Sequence, residues 1–263
     1  MNLLFIGDIV GKGGRRAVKA LAPDLRKKHN CQFCVANGEN MANGDGMSAK
    51  CIAEISPEVV DVVTSGDHVW GQKEFEKEID GLKNVLRPAN YHPAQPGRGF
   101  AVFRNPGGGE VAVINLLGKV FMRESFSCPF AEIERILVQI PPTIKCVILD
   151  FHAEATSEKI AMGRWVDGRV TAVLGTHTHV QTADAVILPG GTAYLTDAGM
   201  VGAERSVLGR DVDPVLRKFT LGMPTRLEVV EKGRFRLDAV VVSYDPATGR
   251  ASAITPISQM VDV

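Results

Sequence analysis

A charge of one sign is the first thing this sequence lacks: 30 Lys and Arg stand against 30 Asp and Glu, a formal net charge of zero. Without a basic face, no stable complex with duplex nucleic acid is expected. No block of like charges marks a solvated tail or a polybasic anchor either. Aromatic residues are scarce, at 6%, and do not cluster with basic ones, which argues against a stacking platform for single strands. Nothing approaches the roughly 20 consecutive apolar residues of a membrane span. The short apolar run 3–6 has neither the charged lead nor the small-residue cleavage site of a secretory signal. Five cysteines, at 31, 34, 51, 128 and 146, are an odd number in a large chain, which fits reduced thiols and a cytoplasmic location. Cys31-x-x-Cys34 has no second such pair, and Cys34 within the apolar run 33–36 reads as a buried strand cysteine. No Gly-x-Ser-x-Gly occurs, so a serine hydrolase is disfavoured. The glycine-rich stretch 7–14 fails as a phosphate loop, because three residues rather than four separate Gly7 from Gly11 and Lys12 is followed by Gly13.

What is present is a hydrophobic content of 45% over 263 residues, enough for a sizeable core. No linker, boundary or repeat stands out, so residues 1–263 read as a single α/β domain. Apolar runs at 2–6, 32–36, 59–64, 146–149 and 170–174 read as strands, with further strands at 84–91, 99–104 and 110–117. Helical spacing places Val18, Leu21 and Leu25 on one helix, which Pro23 should kink or shorten and whose end His29 should cap. A second helix carries Ile52, Ile55 and Val59, and others cover 131–140 and 155–165. Runs 185–188 and 192–195, split by Pro-Gly-Gly, read as a hairpin. Runs 226–230 and 236–243, flanking Lys232-Gly233, predict an antiparallel tail.

The metal-capable residues follow these strands. Asp8, Glu39, Asp67 with His68, His152, and His177 with His179 each come directly after an apolar run. In a parallel sheet the carboxyl ends share one edge, where ligands bind. Taken singly, Asp8 suits a helix cap, Glu39 a solvated acid, Asp67 a turn acceptor and His152 a core histidine. Together at five strand ends they predict a cation site, since carboxylates that close raise one another's pKa and destabilise the fold. His177 and His179 share a side if the chain is strand there, and small neighbours let both rings converge if it is loop.

The order of these pieces resembles the calcineurin-like metallophosphoesterases, through Gly66-Asp67-His68 and Gly175-Thr-His177-Thr-His179. The chain is similar throughout to the YmdB-like branch, in Gly7-Asp8-Ile-Val-Gly11, Asn37-Gly-Glu39-Asn40, Arg87-Pro-Ala-Asn-Tyr91, Asp150-Phe-His152-Ala-Glu154-Ala-Thr-Ser-Glu158-Lys159 and Thr196-Asp-Ala-Gly199. The resemblance implies a layered β-sheet core flanked by helices, with two metal ions at the carboxyl ends of the strands. Asp8, Glu39 and His179 would hold the first ion. Glu39 would bridge to a second held by Asp67, His152 and His177. Asn40 would lend its amide oxygen or orient the shared water, and His68 would protonate the leaving oxygen. Asp67 stands where the superfamily usually has Asn; added negative charge favours a more highly charged cation, so iron is expected first and manganese second. Glu39 is longer than the usual bridging Asp, a departure the branch shares.

The implied chemistry is two-metal hydrolysis of phosphoesters, in which a shared water of lowered pKa attacks phosphorus in line. Phosphodiesters including 2′,3′-cyclic nucleotides are the implied substrates, with monoesters weaker, and a homo-oligomer is the expected assembly. Arg87, His92, Arg98 and Arg205 lie in loops that could reach phosphate or base, though ordinary surface roles suit each. Two other readings stay open at this point. One is a metal-dependent amidase, and the other an RNA- or protein-binding regulator with structural metals.

Overall fold

Side-chain parity in the first strand sets the architecture. In β1 (Asn2–Ile6), Leu3 and Phe5 enter one core while Leu4 and Ile6 enter another, because successive side chains point to opposite faces. A strand apolar on both faces must lie between two layers. The computed structural model describes residues 1–122 and 127–263.

After β1 come β2 (Asp8–Ile9), α1 (Gly11–Lys28), β3 (Cys31–Asn37), α2 (Ala49–Ala53), β4 (Val62–Thr64) and α3 (Phe75–Glu78). The chain then crosses to β5 (Phe100–Arg104), β6 (Glu110–Leu117), α4 (Pro129–Leu137), β7 (Cys146–His152), α5 (Thr156–Trp165), β8 (Ala172–Thr176), β9 (Val186–Ile187) and β10 (Ala193–Leu195). It returns through β11 (Met200–Ala203), α6 (Val212–Leu221), β12 (Arg234–Tyr244) and β13 (Ala251–Asp262).

Two sheets result. A seven-stranded sheet has the order β2-β11-β12-β1-β3-β4, with β13 also on β12, and a six-stranded sheet has the order β5-β6-β7-β8-β10-β9. Leu3, Phe5, Phe33 and Val35 of the first sheet pack against Val113, Ile148, Ala172 and Leu174 of the second. Outside, Val18, Leu21 and Leu25 of α1 cover the first sheet, while Ile133 and Ile136 of α4 and Met162 of α5 cover the second. The molecule is therefore helix, sheet, sheet, helix. No helix among the described residues is long and apolar enough to cross a membrane. All five cysteines are free thiols, and Cys34 lies buried in β3 as expected.

Several local expectations are corrected. Pro23 does not break α1, which runs through it; Pro23 and Lys19, the residue whose carbonyl loses its donor, both face solvent, where water replaces the bond. The helix starts at Gly11, so the glycines lie within it. The second helix is only Ala49–Ala53, since Ser56-Pro57 stops its extension. Residues 84–91 form a connector rather than a strand: Leu86 N–H donates to Val63 of one sheet and Ala89 N–H to Asn115 of the other. Residues 226–230 are not the partner of β12. Val230 N–H bonds Gly209 and Glu228 accepts from Asp211, outside the sheet. The antiparallel partner is β13, whose mostly exposed, Ser- and Thr-bearing sequence carries little apolar signal. The hairpin β9–β10 forms as read.

The two-sheet arrangement also corrects the picture of a single sheet edge. β1, β3 and β4 run parallel in one sheet, β7 and β8 in the other. The site lies where two rims meet. Gly175 of β8 approaches Thr196 so closely that a Cβ would overlap its carbonyl oxygen. Gly175→Ala should therefore destabilise the fold by about 1–3 kcal/mol, as overpacking does, measurable as a lower midpoint in urea unfolding with unchanged slope.

Candidate metal centre

Strand ends of both sheets supply the site. Asp8 begins β2 just after β1, Glu39 and Asn40 follow β3, and Asp67 and His68 follow β4. The second sheet gives His152, the last residue of β7, and His177 and His179, just beyond β8. At the end of β3, Asn37 Oδ1 accepts the Glu39 N–H at 3.1 Å, a side-chain turn that lifts the backbone out of the strand. Gly66 is required beyond β4, because a Cβ there would strike Glu39 Oε2 and His152 Nε2.

Of the two geometries open for the histidine pair, the chain is loop. His177 has φ 103° and His179 φ 65°, a left-handed region unfavourable for residues with a side chain. Hydrogen bonds over-determine it. Asp197 accepts from Thr178 N–H at 3.0 Å, from Thr178 Oγ1 at 2.8 Å and from buried Lys159 Nζ at 2.7 Å. Asp8 Oδ2 accepts the His177 N–H at 3.1 Å.

These turns bring the candidate ligands into two groups that share one member. Glu39, Asp67, His152 and His177 form one, and Asp8, Glu39 and His179 the other, each with ligand atoms within 4.8 Å of one another. His152 Nε2 stands 3.1 Å from Glu39 Oε2, 3.2 Å from Asp67 Oδ1 and 3.0 Å from His177 Nδ1. Asp8, Glu39 and His152 are almost wholly buried.

Burial makes the electrostatics severe. Desolvation pushes the Asp8 carboxyl well above the usual carboxylate range. Burial would do the same to Glu39, but the His152 charge and its hydrogen bond hold Glu39 well below that range. Conversely, burial opposes charge on His152, yet Glu39 and Asp67 raise its pKa well above the ordinary value. Burial, then the neighbouring His152, lower His177 to about 4, and burial lowers His179 as well. The surroundings thus favour charge on His152 and Glu39 and disfavour it on Asp8, His177 and His179.

The donor set fits cations. Asp8 Oδ1 is buried and has no hydrogen-bond partner among the described residues, with imidazole nitrogens of His152 and His179 3.8 and 4.0 Å away. A buried carboxylate oxygen without a donor is costly, and a cation is the partner that carboxylate and imidazole groups jointly suit.

His68 stands at the edge of the cluster, 40% of its side chain exposed. Its Nδ1 lies 3.1 Å from Asn40 Oδ1 and 3.4 Å from Glu39 Oε1. The Glu39 contact outweighs desolvation and raises its pKa to about 9. Asn40 turns its Nδ2 toward Glu39 Oε1 at 2.8 Å and His179 Nε2 at 3.2 Å, so its oxygen serves His68 in this arrangement.

Other residues belong to the site that strand-end reasoning did not pick out. Glu154 Oε2 is 3.2 Å from His177 Nε2. Asp150, Asn37 and Thr176 form a polar floor beneath His152, and Lys159 with Asp197 braces the histidine loop. The readable signal was parity, since Asp150 lies two residues before His152 on one strand face. Arg87 is buried and spends its donors on the carbonyls of Pro88, Gln95 and Pro96, which makes it a loop brace. His92, Arg98 and Arg205 are exposed.

Comparison with known proteins gives this arrangement relatives. The chain is 42% identical over 257 residues to the 2′,3′-cyclic-nucleotide 2′-phosphodiesterase of Bacillus subtilis, covering 98% of this chain and 96% of that protein. A solved structure described as a hypothetical protein from Thermus thermophilus superposes with TM-score 0.91 at 38% identity, covering 99% of each chain. A solved structure of a novel phosphatase from Mycoplasma pneumoniae gives TM-score 0.91 at 32% identity, covering 100% of this chain and 94% of that one. A family model described as YmdB-like protein matches residues 4–257, and the chain belongs to this YmdB-like family.

Proposed function

We propose that the chain is a dinuclear phosphodiesterase, a phosphoric ester hydrolase whose substrates include 2′,3′-cyclic nucleotides. One observation carries this reading: two groups of ligand atoms share Glu39, so two cations held there would be neighbours. Asp8, Glu39 and His179 would hold one, and Glu39, Asp67, His152 and His177 the other. Two such cations clamp a phosphate and lower the pKa of a shared water. Iron suits the anionic Asp67 best and manganese second, since hard oxygen ligands with added charge favour the more highly charged ion. The named activities of the relatives support the substrate class.

The chain's own groups do the rest. His68 reaches from Asn40 toward the exposed side of the cluster, and as an imidazolium it donates its proton to the departing alkoxide oxygen. Asn40 holds the His68 ring and Glu39 together, fixing the acid relative to the cluster. Cations on Glu39 would withdraw the charge that raises His68 to about 9, bringing the imidazole nearer the operating pH of a general acid. The site draws on residues 8 to 179, so one domain spanning the chain is the catalytic unit. Free cysteines are in keeping with a cytoplasmic enzyme, and we retain a homo-oligomer as its assembly.

His68→Ala should keep both cations and slow hydrolysis by about 10²-fold or more, most on esters with poor leaving groups, as general-acid loss does. Elemental analysis beside turnover of bis-p-nitrophenyl phosphate and an alkyl diester tests this; lost cations would make His68 a ligand. Turnover of a chromogenic amide with none of any diester would sink the phosphodiesterase reading.

A pH effect follows from His152. Its folded pKa is raised above the unfolded value, so in stripped protein its stabilising charge is fully present below the unfolded pKa and lost as pH rises through the folded one. Stripped protein should lose thermal stability on the alkaline side, while loaded protein should not. Cation uptake should release protons at neutral pH, seen as a buffer-dependent heat in calorimetry. A heat independent of buffer would refute that charge assignment.

A further inference from the structure

Beneath the cluster lies a buried carboxylate that the proposed reaction does not use. Asp150 is fully buried on β7, two residues before His152 and on the same strand face. Its partners are neutral donors from both sheets. Oδ2 accepts from Thr64 Oγ1 at 2.5 Å and Asn37 Nδ2 at 3.0 Å, and Oδ1 accepts from Thr176 Oγ1 at 2.7 Å. The Asn37 amide is not free to turn, because its Oδ1 already accepts the Glu39 N–H. Thr176 sits directly beside His152 in the register of β7 with β8. Its Oγ1 is 2.8 Å from His152 Nδ1.

With Asp150 ionised, and the two Asn37 Nδ2 protons on Asp150 Oδ2 at 3.0 Å and the Ser65 carbonyl at 3.1 Å rather than on His152 Nδ1 at 3.4 Å, counting protons along this chain leaves one arrangement. A hydroxyl has one proton to give, and Thr176 gives it to Asp150. Toward His152 the hydroxyl can then only accept, so Nδ1 must carry a hydrogen. The other nitrogen, Nε2, faces Glu39 and Asp67. We propose that Asp150 and Thr176 are positioning residues that lock His152 as the Nδ1–H tautomer, presenting the Nε2 lone pair to the cation shared with Glu39, Asp67 and His177. This rests on the two-cation reading above. The partner of a ligating imidazole's second nitrogen fixes the ring's tautomer and orientation. Here that partner is a hydroxyl, and the hydroxyl is oriented in turn by a carboxylate.

The assignment makes a one-atom change informative. In Asp150→Asn, the position facing the Thr64 and Asn37 donors must stay oxygen, so the new NH2 takes the place of Oδ1 and points at Thr176. Thr176 then receives a hydrogen bond where it gave one. Its own proton must go to His152 Nδ1, forcing the wrong tautomer, or remain unbonded in the interior. Thr176→Val removes the link at nearly constant volume, and Thr176→Ser keeps the hydroxyl.

The test uses the full chain, stripped and titrated with Mn2+ by calorimetry, with thermal melts as the fold control. Wild type should take up two ions. Asp150→Asn and Thr176→Val should weaken one of them by about 10–100-fold, the usual effect of losing a partner behind a ligand, while Thr176→Ser restores it. With diamagnetic Zn2+ loaded, long-range 1H–15N spectra should show a protonated Nδ1 on His152 in wild type and Thr176→Ser. Two unweakened sites in both Asp150→Asn and Thr176→Val, or an Nε2–H His152 in zinc-loaded wild type, would overturn the inference. If Thr176→Val does not fold, Asp150→Asn decides alone. A wild type that binds no ion overturns the two-cation reading itself, and the positioning role falls with it.

Discussion

Three carboxylates and three imidazoles meet in one cluster, and Asp8, Glu39 and His152 among them are almost wholly buried. Charges in such a place are tolerated only when paired. The surroundings are arranged around that demand: Gly66 leaves the space open, Asn37 turns Glu39 inward, and two histidines accept a left-handed backbone to reach it. Strain of this kind persists only where neighbours over-determine it. Here the neighbours are Asp197 and Asp8, each holding an N–H of the histidine loop.

The bracing behind that loop is itself ionic. Lys159 is 1% exposed and Asp197 wholly buried, 2.7 Å apart. Lys159 also donates to the Thr176 carbonyl at 2.8 Å, and Asp197 Oδ1 accepts the Gly199 N–H at 2.9 Å. Gly199 in turn presents its carbonyl to the Asp8 N–H at 3.0 Å. One ion pair therefore fixes the backbones of ligands from both sheets. Such a pair adds little net stability over apolar packing, but breaking it leaves a buried charge exposed to nothing. Its contribution lies in geometry, holding Asp8 against His177 across the junction of two rims.

The site was legible in the sequence to the extent that strand ends announce themselves. Apolar runs followed by Gly and an acid or histidine are local signals, and Asp8, Glu39, Asp67, His152 and His177 all converge as their positions implied. The division into two sheets was not legible, because parallel units read alike whether they share a sheet or face one another. The tail deceived for a different reason. Residues 226–230 carry the stronger apolar pattern but bond to a loop, whereas β13 forms a long strand with little apolar periodicity because much of it faces solvent. Pro23 misled because a proline's cost depends on whether the lost bond faces water, which a single sequence does not say. Asp150 stands directly after the run 146–149, yet nothing local tells what it bonds, and only the paired register of β7 and β8 reveals the link through Thr176 to His152.

Charge accounting then bears on which cation and which ester the cluster suits. Burial lowers His177 to about 4 and lowers His179 as well, which favours the neutral imidazoles that bind a cation. The neighbouring carboxylates favour a proton on His152 instead, in competition with a cation. Two divalent ions over Asp8, Glu39 and Asp67 would leave a small positive excess, matched to the single negative charge of a phosphodiester. An asparagine in place of Asp67 would leave a larger excess, better suited to a doubly charged monoester. The one negative charge of the aspartate can be used in either of two ways. With two divalent ions it would lower the pull on a substrate that carries one charge; with one trivalent ion it would instead offset the added charge, returning the excess to that of the asparagine case. The Asp67 carboxylate therefore sets the charge balance of the cluster, and the ions it holds decide whether that balance is used on the substrate or on the metal.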